Sequence, residues 1–97
     1  MIDLNGMTAA DFALLEGETF VIVSLEKAVD LELVEVKKLG QGERKGGAFS
    51  LLWQGPAAPV LQQATYRIAQ EKIGEHDVFL VPVAQKDAGI QYEAVFT

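Results

Sequence analysis

Cysteine is absent from these 97 residues and histidine occurs once. The first absence excludes a disulfide framework, a thiolate nucleophile and a Cys-ligated zinc. The second removes multi-histidine metal sites, because His76 has no second imidazole with which to share an ion. Long apolar runs are also missing: Val78-Phe79-Leu80-Val81-Pro82-Val83 falls far short of the ~18–20 residues that a membrane span needs. The first residues carry Asp3 and no basic flank, so they do not read as a signal peptide. A soluble chain without membrane association, most simply cytoplasmic, is expected.

Basic residues are scarce as well, with 8 Lys and Arg against 14 Asp and Glu and a net charge of −6. The imbalance is local. Eight acids (Asp3, Asp11, Glu16, Glu18, Glu26, Asp30, Glu32, Glu35) face the lone Lys27 up to residue 35, a balance of −7 that leaves +1 for the rest. Such a field repels phosphate backbones and argues against nucleic-acid binding. It reads first as a solvated acidic face and second as a docking surface for a basic partner, with Glu32 and Glu35 as candidate contacts.

What the chain does contain is apolar material, 49% of residues, enough for one domain over residues 1–97 that needs no metal or other cofactor to fold. Thr8-Ala9-Ala10-Asp11 has the form of a helix start, and Gly17 is placed to end a short helix over about residues 8–16 in a left-handed cap. From Glu18 onward the pattern is that of strands. Thr19 to Leu25 is β-branched and aromatic, and about Asp30 to Leu39 alternates with a change of parity at Leu33-Val34 that predicts a β-bulge. Phe49, Leu51 and Trp53 share one face, as do Tyr66 and Ile68. Asp77 to Val83 and Ile90 to Phe96 form a final pair across Gln85 to Gly89, with Gly89 expected to supply positive φ. Pro82 predicts an edge or a strand end. One short N-terminal helix and about six strands give a mainly antiparallel all-β fold, as a small barrel or a two-sheet sandwich.

No arrangement of residues specifies catalysis. The glycine-rich stretch Gly40 to Gly47 is followed by a strand, not the helix that a phosphate loop requires. It reads as a hairpin loop in which Arg44 and Lys45, with Lys37 and Lys38, could meet a partner. His76 lies between Glu75 and Asp77 at a strand start, and the only serines, Ser24 and Ser50, fall on expected strand interiors outside any nucleophile elbow. The aromatics at period 2 read as core. Trp53, close to the Gly55-Pro56 turn, is the one that could reach a surface and anchor an interface.

Several stretches occur together: Thr8-Ala9-Ala10-Asp11-Phe12, Leu15-Glu16-Gly17-Glu18-Thr19-Phe20, Leu31 to Val36, Phe49-Ser50-Leu51-Leu52, Gly55-Pro56, Tyr66-Arg67, Phe79 to Val83 and Tyr92 to Phe96. The set resembles a bacterial family of roughly hundred-residue domains of unknown function, often encoded near phage-tail-collar-type proteins, an association rather than a mechanism. The resemblance carries no catalytic residues and implies an assembly or accessory role. The leading expectation is a non-enzymatic protein-interaction module that works through a strand edge, the acidic segment or the Trp53 region, with a protein partner or a second copy in a homodimer. The alternative is a β-barrel that binds a small ligand.

Overall fold

The computed structural model describes residues 6–40, 42 and 47–97. Arg44, Lys45 and most of the expected glycine-rich loop lie outside the described residues. The described elements are α1 (Ala9–Ala13), β1 (Thr19–Ile22), β2 (Val29–Gly40), β3 (Ala48–Pro56), β4 (Ala64–Gln70), β5 (Gly74–Lys86) and β6 (Gly89–Phe96). All strand pairs are antiparallel, and one sheet closes as a barrel in the order β1-β2-β3-β6-β5-β4. Of the two expected architectures, the chain adopts the barrel.

Local chemistry explains the punctuation. Thr8 accepts the Asp11 N–H while the Asp11 carboxylate accepts the Thr8 N–H, a reciprocal cap that starts α1. The helix is five residues long, shorter than expected, because its turn unwinds toward Gly17. At φ +85°, Gly17 redirects the chain and donates its N–H to the Leu33 carbonyl. The parity change in β2 is a bulge: the register with β3 shifts between Leu33 and Glu35, so Leu33 and Val36 both point inward and Val34 is exposed. β1 ends three residues early, at Ile22. This leaves Ser24 in the following loop, where its Oγ accepts the Arg67 N–H.

The β5–β6 turn corrects an expectation. Lys86 pairs with Gly89, leaving a two-residue turn in which Asp87 (φ 55°) and Ala88 (φ 59°) take the left-handed conformation. Positive φ at both central residues defines a type I′ turn, one of the two turns whose twist matches that of the flanking strands. Gly89 is required for a different reason: a Cβ there would lie 2.1 Å from the Gly55 carbonyl oxygen.

Alternate residues of the six strands fill the barrel, as the taper of a small barrel demands. Trp53, Tyr92, Phe20, Leu31, Leu51 and Leu80 are among the fully buried side chains. Phe12 of α1 closes one end, with its ring centroid 5.6 Å from Phe49 and 5.9 Å from Phe96. Toward the other end Leu61, on the crossover from β3 to β4, is buried and its N–H donates to the Tyr92 hydroxyl at 3.0 Å.

Candidate functional site

The interior offers almost no room. Its cavity, bordered by Phe20, Trp53, Gln70, His76 and Phe96 among others, has a volume of about 10 Å³, roughly the least that one water occupies. Trp53 is only 1% exposed and packs edge-on against Phe20 at 5.5 Å. Its indole N–H is buried without a hydrogen-bond partner. The expectation that Trp53 reaches a surface is therefore incorrect: it shares the inward parity of Phe49 and Leu51, and strand alternation outweighs its closeness to a turn.

His76 also follows parity. It points inward, half-buried, with Nε2 2.6 Å from the Ile73 carbonyl oxygen. Its neighbours Glu75 and Asp77 point outward and both accept from Arg67 at 3.1 Å. Those hydrogen bonds, from Glu75 first and Asp77 second, raise the Arg67 guanidinium above its ordinary pKa. The sequence neighbours of the histidine thus do not surround its ring. Ser50 is buried in β3, Ser24 is bonded to β4, and among the described residues no three acids or histidines gather as a metal would require.

Chemically distinctive features lie on the outside. The first is an apolar band on β5 and β6. Phe79, Val95 and Val83 are 52%, 53% and 48% exposed, and Val81 is half-buried on the same face of β5 as Phe79. Val81 pairs with Glu93, and Phe79 and Val95 each lie two residues beyond that pair, on the same outward parity of β5 and β6. The band continues to Leu52 of β3, which is opposite Glu93 on one side and Glu35 on the other. Contiguous exposed apolar side chains on a polar surface mark contact sites more often than scattered ones do.

The second feature is a groove of about 900 Å³ between the β1–β2 loop, the first half of β2 and the crossover after β3. Leu25 and Pro59 contribute apolar walls, while Glu26, Asp30 and Glu32 supply negative charge beside Lys27.

These features sit on a recognised family domain. A family described as "Domain of unknown function (DUF6916)" matches residues 7–96, which include α1 and all six strands. The chain belongs to the DUF6916 family. No curated protein and no solved structure matches it.

The two expected acidic contacts of this DUF6916 chain belong to different surfaces. Glu32, opposite Gln54, lines the groove, whereas Glu35, opposite Leu52, flanks the apolar band. The strand edge fares poorly. Beyond the Ala64–Leu80 pair, residues 81–86 of β5 bond only to β6 among the described residues. That side carries Pro82, a register shift between Pro82 and Ala84, and Lys86. A missing donor, a bulge and a charge are the devices that block strand addition. Pro82 is thus on an edge, as expected, but the edge is unsuited to pairing. The apolar band escapes a period-2 reading, yet its signal is present: Val78 to Val83 is apolar at both parities, so one parity must face outward.

Proposed function

We propose that this DUF6916 chain is a non-enzymatic protein-interaction module whose working surface is the outside of the barrel. The observation that supports this reading is the apolar band of Phe79, Val81, Val83 and Val95 left uncovered on β5 and β6, whereas the other exposed large apolar side chains, Leu14, Val23, Val34, Leu39 and Val60, fall on other elements and loops. Burying the exposed halves of three such side chains is worth on the order of 2–4 kcal/mol. Association costs about 4–15 kcal/mol, so the band is the anchor of a wider interface that includes polar neighbours such as Glu35 and Glu93. A second copy or a different protein can supply the opposing face. The association implied by the family resemblance makes tail-collar-type assembly proteins, met in the bacterial cytoplasm, the first partners to test.

The alternative, a small-ligand-binding barrel, calls for a pocket of about 300–1,000 Å³. The interior cavity of about 10 Å³ lends that reading no support. Size-exclusion chromatography with light scattering, together with capture of co-expressed neighbouring gene products, tests the module. Phe79→Ser with Val95→Ser should abolish self-association or capture while leaving thermal unfolding cooperative. A strict monomer whose partner capture ignores both substitutions would overturn the proposal.

A further inference from the structure

The groove and the band are separate surfaces, and the groove has a chemistry of its own. Asp30 and Glu32 are exposed on the same outward face of β2. Glu26 approaches from the β1–β2 loop, and Leu25 and Pro59 provide apolar walls. None of the ion pairs among the described residues, Arg67–Glu75, Arg67–Asp77 and Lys72–Glu18, uses these three acids. Lys27 also lines the groove and offsets one of the three acids, and the net negative charge that remains beside low-dielectric walls focuses a negative potential there, which disfavours phosphates and other anions. The acids are also too dispersed to converge on a metal ion. An occupant must therefore present several cations along its length. Residues two apart on a strand are separated by about 6.6 Å, which is also the spacing of alternate side chains in any extended peptide.

We infer that the groove receives an extended basic segment of a partner protein, with Lys or Arg at alternate positions meeting Asp30 and Glu32 and a further cation meeting Glu26. The small apolar residues between the cations lie against Leu25 and Pro59. This inference rests on the interaction-module reading and adds the partner's chemical class, using a surface that the apolar band does not share.

The test is titration of the ¹⁵N-labelled full chain with a blocked peptide, Ala-Arg-Val-Lys-Ala-Arg. The expected result is saturable shifts confined to residues 25–32 and 56–61. Affinity should fall about tenfold or more in Glu26→Gln/Asp30→Asn/Glu32→Gln. It should be nearly unchanged in the charge-matched Glu16→Gln/Glu71→Gln/Asp87→Asn, both variants being checked for cooperative unfolding. Equal losses in the two variants, shifts spread over the whole surface, or no saturable binding at low salt would each overturn the inference. If the peptide fails while Phe79 and Val95 still govern partner capture, the groove assignment falls and the module stands. If groove binding persists while the band substitutions change nothing, the band-based proposal falls instead.

Discussion

Two adjacent residues at the β5–β6 turn should respond to substitution with opposite signs. Ala88 holds φ 59°, a conformation that costs an L-residue with a Cβ about 1–2 kcal/mol relative to the right-handed region. Glycine removes this cost but frees the unfolded chain by about 0.5–1 kcal/mol. Ala88→Gly should therefore stabilise the protein by about 0.5–1 kcal/mol, and the resulting Asp-Gly pair is a favoured type I′ sequence. For a domain of this size, that gain corresponds to a melting-temperature rise of about 2–8 °C. One position later the sign reverses. A Cβ on Gly89 would lie 2.1 Å from the Gly55 carbonyl oxygen and 2.7 Å from Gln54 Nε2. The amide of Gln54 can swing aside only by giving up its 2.8 Å bond to the Lys86 carbonyl, and the Gly55 backbone cannot move without spreading β3 from β6. Overpacking of about 1–3 kcal/mol plus a lost hydrogen bond of about 0.5–1.5 kcal/mol puts Gly89→Ala at about 2–4 kcal/mol destabilising. Urea unfolding followed through the single tryptophan measures both. A destabilised Ala88→Gly, or a neutral Gly89→Ala, would refute the turn geometry, because a turn displaced by one residue would need its glycine at a different position.

Tyr92→Phe should cost about 1–3 kcal/mol by urea midpoint, because it leaves the buried Leu61 N–H without the acceptor it has at 3.0 Å. Thr8→Ala should cost about 1 kcal/mol by removing one arm of the reciprocal cap on α1, and Thr8→Ser should restore most of it in the same assay. Arg67→Ala should lower the melting temperature slightly at low salt, with the difference shrinking in about 1 M salt, where the screening length is about 3 Å. Because the bonds to Glu75 and Asp77 raise the Arg67 pKa, its contribution is fully present at neutral pH. On the alkaline side it is lost as pH rises through the strongly alkaline range, so a melting-temperature difference that disappeared on a mild rise from pH 7 would contradict this account.

Features set by local chemistry were legible before the fold was known. The Thr8–Asp11 cap, the left-handed Gly17, the bulge after Leu33 and the edge position of Pro82 each depend on a residue's own backbone preference or on a parity count within a few neighbours. Features that depend on the far side of the sheet were not. Gly89 looks like a turn glycine until Gly55 is placed against it, and Trp53 looks exposable until the closed sheet assigns inward parity to the whole of β3. The candidate surfaces divide in the same way. Acidity is visible in composition, but only the pairings of β2 with β3 assign Glu32 to the groove and Glu35 to the apolar band.

Closure of the sheet also constrains where a partner can bind. A closed barrel removes most strand edges, and one stretch that remains, residues 81–86 of β5, is blunted by Pro82, the adjacent bulge and Lys86. Side chains fill the interior to within about 10 Å³. On the proposed interaction reading the outward-facing side chains form the contact surface, and their order along each strand sets which chemistries are adjacent. The β2 bulge matters for this reason. By absorbing Val34, it makes Glu32 and Glu35 successive outward residues opposite Gln54 and Leu52, one lining the acidic groove and the other flanking an apolar strip. Without the bulge, strict alternation would turn Glu35 inward, and the barrel would have to bury a carboxylate where Val36 now packs against the core.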